Sequence, residues 1–106
     1  MELLEPWWST ENLPAEISNH IRKQLELEVG PGHLMYGLPT KLIARGNGDD
    51  ALFEIVDGTG RVADVHLTWR KGQETLPWPI TTIYSSFSEW AASGMIRDHR
   101  DWAGEP

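Results

Sequence analysis

The chain has 106 residues, 40% of them apolar and 24% charged, with 9 Lys+Arg against 16 Asp+Glu for a formal charge of −7, and no cysteine. That length and composition suit a single folded domain over 1–106; the missing thiols exclude disulfides, thiolate metal sites and cysteine nucleophiles, and the negative charge repels a phosphate backbone, so no nucleic-acid partner is expected. No nucleotide-binding loop or nucleophile elbow is present, no cofactor is implied, and neither a signal peptide nor an apolar run of the roughly 18 to 20 residues that cross a bilayer occurs, so a cytoplasmic setting without a membrane partner is expected.

Residues 1–11 have no clear period and are read as irregular. The adjacent rings of Trp7 and Trp8 either fold back on the domain or face a partner, and both are candidates for a partner surface. From Leu13 to Val29 the apolar residues Leu13, Ile17, Ile21, Leu25 and Val29 recur every fourth position between charged neighbours, which predicts an amphipathic helix capped by Asn12, with Pro14 in its first turn. Gly30-Pro31-Gly32 ends it.

Three β-type runs follow, Thr40 to Arg45, Ala51 to Asp57 and Arg61 to Trp69, separated by the turn clusters Gly46-Asn47-Gly48-Asp49 and Gly58-Thr59-Gly60. Short hairpin loops there would put Asp57 opposite Arg61, Ile55 opposite Ala63, Phe53 opposite Val65 and Ala51 opposite Leu67, with Arg45 opposite Asp50, Ala44 opposite Ala51 and Leu42 opposite Phe53. One apolar face results: Leu42, Ala44, Ala51, Phe53, Ile55, Ala63, Val65, Leu67 and Trp69. The other face is mixed, and on it Lys41, Glu54 and Asp64 share a row, with His66 opposite Leu52. Leu76-Pro77-Trp78-Pro79 is extended, Ile80 to Tyr84 is a short fourth strand, and Ser86-Phe87-Ser88-Glu89 has capping-box spacing for a helix that Gly94 ends. Residues 97–106 form a tail. The expected architecture is α+β, an antiparallel meander of three to four strands with an N-terminal amphipathic helix and a short C-terminal helix.

Asp49-Asp50, Leu52-Phe53-Glu54, Val65-His66-Leu67-Thr68-Trp69, Trp78-Pro79, Ser86 with Trp90, and Asp98-His99 together resemble a group of bacterial hypothetical proteins of similar length. The resemblance runs from about Leu38 to Trp102 and implies a bacterial cytoplasmic setting, without an activity.

Two constellations could carry chemistry. Glu54, Asp64 and His66 on one sheet face are either a solvated ladder or a ligand or metal site with carboxyl groups pushed apart in titration. Asp98 and His99 could join them if the tail returns to the sheet. Among the tryptophans, Trp69 and Trp90 are expected in the core, and Trp78, between two prolines, on a contact surface. The first reading is a non-enzymatic acidic domain that binds another, basic protein, as an immunity or antitoxin protein does. The second is a small enzyme or ligand-binding protein using Glu54, Asp64 and His66, and the third a homodimer joined along the edge strand Ile80 to Tyr84.

Overall fold

A computed structural model describes residues 2–104. In chain order the elements are β1 (Trp8–Ser9), α1 (Ala15–Glu28), β2 (Thr40–Arg45), β3 (Asp50–Ile55), β4 (Val62–His66), β5 (Ile80–Tyr84), α2 (Phe87–Ala92) and α3 (Gly94–Ala103). The class is α+β, and the strands form one antiparallel sheet in the order β1-β2-β3-β4-β5. It has five strands rather than three or four. The additional one is Trp8–Ser9, paired with Arg45 and Ala44, too short to leave a periodic pattern in the sequence.

Helix α1 begins at Ala15, with Pro14 rather than Asn12 at the cap position and no side chain capping it. Its fourth-residue spacing puts Ile21 and Leu25 on the sheet, joined by Val29 and Met35, over Leu42, Ala51, Phe53, Ile55, Ala63, Val65 and Leu67. Ile17, one turn earlier, is 45% exposed. The opposite face carries a second core: Trp7, Trp90 and Met95 pack on Ala44, Leu52 and Val62. The molecule is therefore layered, with α1 on one face of the sheet and the N-terminal segment, α2 and α3 on the other.

Two register details differ from the short-loop reading. Between β3 and β4 the pairs are Asp50 with His66, Ala51 with Val65, Leu52 with Asp64, Phe53 with Ala63 and Glu54 with Val62. The hairpin closes at Ile55, whose N–H donates to Arg61 at 3.0 Å, so the loop runs from Val56 to Gly60. Asp57 stays in that loop because its carboxylate accepts from the Thr59 amide at 3.1 Å and from Arg61 at 2.9 Å, while Gly58 and Gly60 take the positive φ angles of 85° and 78°. The displacement is an even number of residues, so every side chain keeps its expected face and only the opposite partners change.

The second difference is a bulge in β2. Leu42 pairs with Phe53 as expected, and Lys41 with Glu54, but Ala44 pairs with Leu52 and Arg45 with Ala51, the register shifting between Leu42 and Ala44. The extra residue, Ile43, turns Ala44 away from the α1 face into the second core. Trp69 also leaves the expected core: it is 37% exposed, at a φ of 60°.

After β5, Ser86 caps α2 through its Oγ, which accepts from the Glu89 amide at 3.1 Å. The Glu89 carboxylate reaches back to the amide and hydroxyl of Ser85, completing a capping box one residue wider than the usual pairing. Gly94 does not end the helical region. It opens α3, where a Cβ would stand 2.9 Å from the Tyr84 hydroxyl and 3.0 Å from the Trp90 ring, so residues 97–103 of the expected tail belong to a helix packed against α2, and 105–106 lie outside the described residues.

Candidate functional site

The sheet face beneath α2 and α3 brings Asp50 and His66 together, with Asp64 two residues along from His66. Asp50 opens β3 directly across from His66 at the end of β4, and its carboxylate lies 2.8 Å from His66 Nδ1. With Nδ1 on that carboxylate, Nε2 is left as the outward nitrogen of a half-exposed ring. Two residues along β4, Asp64 points under α2, where the Trp90 indole N–H donates to it at 3.0 Å. Burial pushes the Asp64 carboxyl up to about 6; the Trp90 hydrogen bond opposes the shift, the Asp50 and Asp98 charges add to it, and Arg97 offsets it.

Helix α3 brings the other half of the site. Asp98 accepts from the buried Trp7 indole N–H at 3.0 Å and from Arg97 at 3.4 Å. Asp101 follows one turn later on the same side of the helix, as spacing of three residues requires. Asp50, Asp98 and Asp101 line one open cleft of about 330 Å³ together with Pro6, Asn47 and Trp102. Trp102 is 53% exposed at its rim. His99, from the same turn, faces elsewhere: its Nδ1 is 2.6 Å from the Glu5 carbonyl oxygen and ties α3 to the N-terminal segment.

The expected set is thus divided. Glu54 lies opposite Lys41 and Val62, Asp64 is held by Trp90, and His66 pairs with Asp50. Asp98 does return to the sheet, but to Trp7 and the Asp50 side of it. Among the described residues, no three His, Cys, Asp or Glu side chains stand close enough to hold a metal ion. Of the rings offered as a partner surface, Trp7 is 2% exposed and belongs to the second core, edge-on to Trp90 at 4.9 Å between centroids, whereas Trp8 and Trp78 are 46% and 44% exposed.

Asp50, Asp101 and Trp102 were not singled out. Asp98-His99-Arg100-Asp101 carries the helical spacing that would have joined Asp98 to Asp101, and the longer β3–β4 loop would have set Asp50 against His66.

Chemically, three carboxylates around an exposed indole suit an organic cation, which the carboxylates take by charge-assisted hydrogen bonds and the ring face by cation–π attraction. No helix among the described residues is long and apolar enough to cross a membrane. Comparison with protein-family models, curated proteins and solved structures finds no match to this chain.

Proposed function

We propose that the protein is a non-enzymatic binding domain that captures a basic segment of another protein in the cleft between the start of β3 and helix α3. The observation that carries this reading is the grouping of Asp50, Asp98 and Asp101 around the half-exposed Trp102 on a chain of charge −7. A field of that sign speeds the approach of a basic partner, and the cleft supplies the contacts that hold one of its arginine or lysine side chains. Neutralisation of a basic toxin is one activity with these requirements.

The test uses a short arginine-rich peptide titrated calorimetrically. Binding is expected to weaken steeply as salt rises, and the double variant Asp98→Asn, Asp101→Asn to lose at least about tenfold in affinity; Asn keeps an oxygen for the Trp7 indole. Equal affinity for the variant and the parent rejects the reading. A second reading, a small-molecule or catalytic site at His66, is favoured by the 2.8 Å Asp50–His66 pair alone. It requires that His66→Ala abolish ligand retention in native mass spectrometry without altering the melting temperature.

A further inference from the structure

The sheet has two edges, and they are built differently. At one, β1 is two residues long, which leaves little ladder to extend. At the other, β5 pairs on one side only, with β4, in unbroken register from Val62 opposite Tyr84 to His66 opposite Ile80. Natural edge strands are blunted by charge, proline or bulges; β5, Ile-Thr-Thr-Ile-Tyr, has none of these within it.

Which backbone groups face outward follows from the ladder. Ile55 N–H donates to Arg61 and Leu67 N–H to Asp49, so the odd-numbered residues of β4 bond to β3 and Val62, Asp64 and His66 bond to β5. Their partners Tyr84, Thr82 and Ile80 are thereby used. Thr81 and Ile83 turn their N–H and C=O groups to the open edge, symmetrically about Thr82.

The surroundings are equally neutral. Residues 75–88 form the longest stretch of the sequence without Asp, Glu, Lys or Arg. At its start lie Leu76, Trp78 and Ile80, 52%, 44% and 43% exposed, and Leu34 joins Leu76 and Ile80 around a shallow apolar groove beside the strand. A chain of charge −7 repels its own copies over most of its surface, whereas residues 75–88 present no carboxylate of their own.

We infer that the protein forms a homodimer by antiparallel pairing of β5 with β5 of a second copy, about a two-fold axis at Thr82. In that register Thr81 of each copy exchanges both backbone hydrogen bonds with Ile83 of the other, so all four outward groups of each strand are used, and the two sheets become one. Slipping by two residues in either direction would leave groups unpaired. Two threonine side chains face each other on the axis, where like charges would repel. No β5 residue lines the acidic cleft, so dimerisation and cation capture stand or fall separately.

Sedimentation equilibrium over a wide concentration range tests this. The chain is expected at twice its 12.0 kDa mass. Thr82→Lys and Thr82→Glu, at an exposed position, are each expected to weaken the dimer at least about tenfold, and an equimolar mixture of the two to restore it. Thr81→Pro, which removes an outward N–H and no bond to β4, is expected to weaken it as well, with circular dichroism showing the fold retained. A chain that stays at 12.0 kDa at every concentration overturns the inference. So does a dimer that none of the three substitutions weakens.

Discussion

Two carboxylates, one buried and one half-buried, show how much the neighbours of an acid decide. Glu28 is fully buried, and its oxygens accept from the Thr68 amide and hydroxyl at 2.8 and 3.0 Å, the Trp69 amide at 2.9 Å and Gln24 at 2.7 Å. Those donors hold the end of α1 to the turn after β4 and support Trp69 in its left-handed backbone conformation, uncommon for a bulky residue. Glu28→Gln would aim an amide N–H₂ at some of the same donors, and a loss of about 2 kcal/mol or more in urea unfolding is expected. Asp64 has a single indole donor instead, and its titration near 6 exceeds the ordinary value of 3.8. Between those two pH values the folded chain binds more protons than the unfolded one, so this residue's contribution to stability falls as pH rises from about 4 to 6 and its deficit is complete above that. Asp64→Asn, which keeps an oxygen for Trp90, is expected to raise the melting temperature at pH 7 and to leave it unchanged at pH 3. Neither environment could be read from composition: Glu28, three residues after Leu25 and seven after Ile21, lies on the buried face of α1, and the donors that satisfy it there come from Thr68 and Trp69, distant in sequence.

At the scale of elements, legibility followed the strength of the local pattern. Helix α1 and strands β2 to β5 were legible because fourth-residue and alternate-residue periodicity are imposed by the faces they bury. The cap of α2 was legible because Ser86 and Glu89 carry their own geometry. Ser86→Ala removes the acceptor for the Glu89 amide, and a loss of about 1 kcal/mol in thermal or urea unfolding is expected. What failed to show was a two-residue strand, a hairpin loop drawn longer by Asp57, and a helix beginning at a glycine. The strand and the helix start are decided by contacts between segments far apart, the loop by the bonds of Asp57 to Thr59 and Arg61. Gly94 reads locally as a stop, yet it is required where α3 passes close to Tyr84 and Trp90.

For the whole molecule, the consequence of these local differences is two cores in place of one covered face. The alternation in β3 and β4 revealed a well-specified apolar face, and the residues behind it, Leu52 and Val62, were read as part of a mixed face. They are covered by Trp7, Trp90 and Met95, which the sequence places at opposite ends of the chain. The same closure of the two ends assembles the cleft, since Pro6 and the Trp7 indole meet Asp98 only in the folded layer. The candidate site was therefore legible as residue types, Asp98 and His66 among them, and illegible as a place, because its walls come from the first and last parts of the sequence.

The bulge at Ile43 reaches beyond β2 itself. Each strand that alternates without interruption serves each face with a fixed half of its residues, but β2 hands Leu42 to one layer and, after a single extra residue, Ala44 to the other. Shortening the chain by that one residue would restore strict alternation with Leu42 still opposite Phe53 and Ala44 still opposite Leu52, but would take away the Ile43 carbonyl that accepts from the Thr10 amide at 3.2 Å and a side chain packed on the second core. A single extra residue thus supplies both a backbone anchor and an apolar side chain where the amino-terminal segment docks, and with that segment comes the Pro6 side of the cleft beneath α3.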